Sequence, residues 1–73
     1  MFPHPPNSIR EIMLPFSQEV SIDPSVTLND PISTAIEVMI EHNLNAIAVL
    51  CNRRPVGQIR LRDAMTRIGI HIP

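Results

Sequence analysis

The sequence predicts an α+β domain in which a small sheet of about three strands packs on two helices, behind a short N-terminal lead-in helix. Three stretches carry this expectation. In "DPISTAIEVMIEHN" the residues Ile32, Ala35, Ile36, Met39 and Ile40 recur at helical spacing and form one apolar face. "AIAVL", Ala46 to Leu50, is an unbroken apolar run of strand length, and "VGQIR", Val56 to Arg60, follows closely enough to form a hairpin with it. In "LRDAMTRI" helical spacing returns, with Leu61, Ala64, Met65 and Ile68 on one side and Gly69 as the stop.

Each element has a local reason. Pro3, Pro5 and Pro6 keep residues 1–7 extended and flexible. Ser8 and Glu11 have capping-box spacing, so "SIREIM" is expected to make a turn or two of helix that Pro15 ends. Two short extended pieces, Val20 to Ile22 and Val26 to Leu28, flank the turn signal Asp23-Pro24. Asp30 is the expected N-cap of the main helix, with Pro31 at the first helical position, where its missing donor costs nothing. Val38 widens the apolar face, Glu37, Glu41 and His42 take the wetter side, and Asn43 supplies a left-handed stop. "CNRRP" is a tight polar reversal, although it lacks the Asn-Gly signature of the commonest hairpins. Gly57 inside a strand marks a place where backbone or a ligand comes close.

Size and charge narrow the function classes. A chain of 73 residues makes one domain with a thin core, and a lone cysteine, Cys51, cannot staple it internally. A hydrophobic content of 44% argues against disorder. No apolar run approaches the roughly 20 residues needed to cross a bilayer, and the N-terminus lacks a signal-peptide pattern, so membrane insertion is not expected and a cytoplasmic location is. The charges are segregated: six acids and Arg10 lie up to Asn52, while five arginines and the single acid Asp63 follow it. The C-terminal third should therefore attract anions. Specific nucleic-acid binding is not expected, because the chain has no lysine and only Phe2 and Phe16 for stacking.

At this point the chain resembles a single CBS domain, the regulatory module named after cystathionine beta-synthase. The resemblance rests on "VTLNDPISTAIEVMIEHNLNAIAVL", Val26 to Leu50, and "PVGQIRLRDAM", Pro55 to Met65, with "SIREIM" as the lead-in. It implies the CBS-domain fold over residues 8–70, with 71–73 as a tail. The chain departs from the family pattern in several places. Ala48 stands where many members have proline, and Cys51 where an acid often begins the turn. Residues 16–25 lengthen the interval from Met13 to Val26, as either an inserted loop or an extra edge strand. Arg60 takes the place of a threonine or serine, and Asp63 keeps the family's aspartate.

Chemistry converges on Asp63. A carboxylate accepts both hydrogen bonds of a ribose diol, and Arg60 and Arg62 are suited to planar contacts with phosphate. Gly57 would leave room for a flat base, and the resemblance implies adenine contacts at Val26 and Thr27. The expected ligand is an adenosine nucleotide such as AMP, ADP or ATP. A plainer reading pairs Asp63 with Arg60 or Arg67 on a wet helix face. His4, His42 and His71 are too dispersed for a metal site, and no nucleophile and base arrangement or carboxylate pair supports catalysis, so an enzyme is not expected.

CBS modules work in pairs about a pseudo-twofold axis, so the resemblance implies a homodimer, with stacking into a tetramer as a further step. The second module would come from another chain or from a further part of the same protein. Ala35, Met39, Ala64 and Met65, small or flexible, are the expected interface residues. The leading function is a regulatory module that senses an adenosine ligand and modulates a partner protein. The alternative is a constitutive dimerisation or protein-interaction module without a ligand.

Overall fold

The structure, a computed structural model, describes residues 8–69. The segment 1–7 and the tail 71–73 named above lie outside them. In chain order a 3-10 turn (Ile9–Glu11) precedes β1 (Ser25–Thr27), α1 (Ile32–Glu41), β2 (Ala46–Cys51), β3 (Arg54–Arg60) and α2 (Leu61–Arg67). The sheet order is β1-β2-β3, with β1 parallel to β2 through the α1 crossover and β3 antiparallel to β2. This is the three-stranded sheet on two helices that the resemblance implies.

One core unites the elements. Ile9, Val26, Ile32, Ala35, Ile36, Met39, Ile47, Val49, Ile59 and Ala64 form a single buried cluster. Alternation along β2 would put only every second side chain on that side, yet Ala48 is also fully buried. The apolar run therefore reads as it should for a strand covered on both faces.

The lead-in is shorter than the capping-box spacing implied. The Ser8 hydroxyl accepts from the Arg10 amide at 3.3 Å, and the 3-10 turn ends at Ile12. Glu11 does not reach back to Ser8, because its carboxylate pairs with Arg67 on α2. Ile9 anchors the turn in the core.

The interval between Leu14 and β1 corrects one expectation and decides between two alternatives. Val20 to Ile22 is not a strand, and 16–24 forms turns and bends rather than an added edge strand. Local hydrogen bonds compete successfully with pairing there: Val20 N–H donates to the Ser17 carbonyl at 3.0 Å, and the Ser21 hydroxyl accepts from Asp23 N–H at 3.2 Å. The extra edge pairing occurs just before this loop, where Leu14 and Gln58 exchange backbone hydrogen bonds at 2.8 and 2.9 Å. The peptide bond at Asp23-Pro24 is cis.

Asp30 is also displaced from its expected role. Pro31 occupies the N-cap, and the Asp30 carboxylate turns back to accept the Thr27 amide at 2.9 Å. Asp30 N–H in turn donates to the Thr27 carbonyl at 3.0 Å, so the residue closes the β1–α1 turn rather than the helix. Asn43 ends α1 with φ 57°, the left-handed geometry foreseen for it.

The hairpin turn is tight, as expected, although it lacks the Asn-Gly signature. Cys51 pairs with Arg54, leaving Asn52 and Arg53 as the two turn residues with φ 52° and 68°. Paired positive φ values are those of a type I′ turn, whose right-handed twist matches the strands. Between the pairs Leu50–Pro55 and Val49–Gly57, Val56 is the extra residue of a bulge and is exposed.

Burial corrects the interface set. Ala35, Met39 and Ala64 have no exposed surface within one chain, so they offer nothing for a second copy to cover. Their small or flexible side chains instead let α1 and α2 approach each other and the sheet. Met65 is half-buried, and Ile22, Ile40 and Val56 are the large apolar side chains left exposed among the described residues.

Candidate functional site

Asp63 stands in the first turn of α2, immediately after the edge strand β3. Alternation along β3 buries Ile59 and turns Arg60 outward. Arg60 is the N-cap residue and makes no side-chain cap to the helix backbone. Its Nε donates instead to Asp63 Oδ2 at 2.7 Å, one helical turn on. The loop before β2 is tied to this corner by Leu61 N–H, which donates to the Asn45 carbonyl at 2.8 Å.

Beside Asp63 runs a groove of about 390 Å³, within the range of small-molecule sites. One wall is the lead-in segment Glu11, Ile12, Met13 and Leu14, and the other is Asp63, Thr66 and Arg67 of α2. The lead-in wall is fastened twice, once to α2 and once to β3. Glu11 pairs with Arg67, and Leu14 is hydrogen-bonded to Gln58 on β3. Asp63, Thr66 and Arg67 of α2 thus stand opposite Ile12, Met13 and Leu14, with Glu11 at the fastening, an arrangement able to hold a flat, partly polar molecule.

Of the expected ligand residues, only Asp63 lines this groove. Arg60 and Arg62 line a second groove of about 400 Å³ with Asn45 and Leu61. Gly57 offers no room for a base, because an added Cβ would collide with the Met13 side chain and sit 2.7 Å from the Leu14 carbonyl oxygen. The close approach foreseen at this glycine is made by the chain's own lead-in. Val26 and Thr27 belong to β1, separated from β3 by the whole width of β2. Val26 is in the core, Thr27 closes the β1–α1 turn, and Ile12, Met13 and Leu14 supply the apolar wall instead.

Thr66 and Arg67 are not among the ligand residues that the sequence suggests. They lie three and four positions after Asp63, so helical periodicity alone would have placed them on its side of α2. Glu11 and Met13 carried no comparable signal, since their approach depends on a long-range bridge. Among the described residues no group of three or more His, Cys, Asp or Glu side chains is placed to hold a metal ion. None of the described helices is long and apolar enough to cross a membrane.

Compared with known protein families, residues 9–70 match the model of the CBS domain. The chain belongs to the CBS domain family. No curated protein and no solved structure matches it. CBS domains generally act as regulatory or ligand-binding modules and are non-catalytic, so the function class of this CBS domain is regulation rather than chemistry. Its Asp63 groove lies within the matched span, built jointly by the lead-in and α2.

Proposed function

We propose that this CBS domain binds an adenosine ligand, AMP, ADP or ATP, in the Asp63 groove and transmits its occupancy to a regulated protein partner. The observation that carries the reading is a half-buried carboxylate beside a groove whose opposite wall presents Ile12, Met13 and Leu14 next to Glu11. Asp63 would accept the ribose hydroxyls, Thr66 would add a hydroxyl contact, and Ile12, Met13 and Leu14 would lie against the base. Because the lead-in is itself one wall, a ligand that fits one lead-in position better than another shifts the segment leading to the N-terminus.

The module would act as a homodimer, with Ile40 on α1 and Met65 on α2 as the apolar helix positions left for the partner copy. Calorimetric titration with AMP, ADP and ATP tests the ligand, and sedimentation tests the pairing. Saturable binding that Asp63→Ala abolishes, with association intact, is the expected result. Absence of binding at millimolar nucleotide would remove the adenosine reading.

A constitutive dimerisation module without a ligand is the second reading. Two observations favour it: Asp63 already has a guanidinium partner, and Met13 fills the space at Gly57. In that case the dimer forms at the same concentration with or without nucleotide.

A further inference from the structure

Charge is divided between the two grooves that meet at the start of α2. The Asp63 groove carries two carboxylates, Glu11 and Asp63, against one guanidinium, Arg67. The neighbouring groove carries two guanidiniums, Arg60 and Arg62, with Asn45 and no carboxylate. A phosphate is therefore disfavoured in the first and favoured in the second, whereas an uncharged diol is suited to the first. The Arg60–Asp63 ion pair spans the division, its carboxylate lining one groove and its guanidinium the other.

We infer that Arg60 is a gate: a phosphate bound between Arg60 and Arg62 draws Arg60 off Asp63 and frees that carboxylate to accept a diol in the adjoining groove. The pair is poised for exchange. Its side chains are 49% and 30% exposed, and ion pairs so open to water are weak. Arg62 makes no ion pair with the described residues, so its fork is available to a phosphate. A phosphate can meet the Nη groups of Arg60 while Nε stays on Asp63, but the side-on pair of contacts through Nε and Nη forms only once Nε has left that carboxylate, which is the differential affinity that a coupled equilibrium needs. The same replacement that puts arginine at position 60 thus makes diol binding conditional on an anion. The diol half of this inference rests on the adenosine reading of the Asp63 groove, while the anion half stands without it. Free phosphate and the ligand's own phosphate present the same chemistry to Arg60 and Arg62.

The test uses the full chain, isotopically labelled, at constant ionic strength. Inorganic phosphate should shift the Nε–H resonances of Arg60 and Arg62 and the carboxyl carbon of Asp63 along one saturable curve. Phosphate should also tighten adenosine binding roughly five-fold or more. Arg60→Gln should bind adenosine without phosphate about as tightly as the unmodified protein does with it, and phosphate should then add nothing. Arg62→Gln should weaken the phosphate response. If AMP competes with phosphate, the ligand's own phosphate opens the gate; if both bind together, free phosphate does.

An Asp63 signal that phosphate leaves unmoved while the arginine signals shift would overturn the gate. So would adenosine affinity that ignores phosphate, or an Arg60→Gln protein that is folded by its amide spectrum yet binds adenosine more weakly. Coordinated arginine and Asp63 shifts without any adenosine or AMP binding would uphold the gate and remove the adenosine reading alone.

Discussion

Helices α1 and α2 pack against the same core but contribute to it unequally. α1 buries Ile32, Ala35, Ile36 and Met39 along its ten residues, whereas α2 buries Ala64 alone along its seven. The first helix is held by apolar contact and lines neither of the two described grooves. The second spends its remaining surface on Asp63, Thr66 and Arg67 in one groove and on Leu61 and Arg62 in the other. Stability and recognition are thereby separated by element, and substitutions in α1 and α2 should fail in different ways.

The sharpest break of that comparison is Met39→Ala. Met39 is fully buried, and truncating such a side chain leaves a cavity costing about 2–5 kcal/mol. Chemical denaturation should show a loss in that range, while ligand affinity per folded molecule stays the same. Gly57→Ala comes next, at about 1–3 kcal/mol, since the new methyl group meets Met13 and a backbone oxygen that cannot move aside freely. Hydrogen exchange should localise its effect to the Leu14 and Gln58 amides, and the groove should loosen with it.

Glu11→Gln tests the fastening itself. It removes an exposed ion pair with Arg67 and should lower stability by about 1 kcal/mol or less. Its larger consequence should be faster exchange of the lead-in amides, read by the same method. Asp63→Ala should have the smallest effect on folding, again about 1 kcal/mol or less, while abolishing ligand binding. A large loss of stability from Asp63→Ala, or a loss of ligand affinity from Met39→Ala in the folded fraction, would erase the distinction between the helices.

The fold was legible where periodicity is strong. α1, β2, β3 and α2 each announce themselves through side-chain spacing, and Asn43 and Gly69 mark stops that the chain obeys with φ 57° and 88°. Local signals misled where tertiary contact competes with them. Asp30 has the chemistry of an N-cap, yet the open Thr27 amide takes its carboxylate. Glu11 has capping-box spacing, yet Arg67 holds it.

The candidate site divided along the same line. Asp63 and Arg60 were readable as a pair because they are one helical turn apart, and the structure joins them directly. That pairing is the plainer of the two readings the sequence offered for Asp63, and it leaves the carboxylate within the groove. Gly57 was readable as a point of close approach, but its occupant was not, because Met13 reaches it only through the distant Leu14–Gln58 bridge. Val26 and Thr27 were assigned by resemblance, and the sheet order keeps them away from Asp63. The separation of Arg60 and Arg62 from the groove of Asp63 depends on which way side chains leave the β3–α2 corner, a geometry that residue order does not encode.

The most direct measurement is a crystal structure of the full chain grown with AMP. The ribose hydroxyls should rest on the Asp63 carboxylate, the base should lie against Met13 and Leu14, and Arg60 should have left Asp63. An empty Asp63 groove under saturating AMP, with Arg60 still bonded to the carboxylate, would contradict the account.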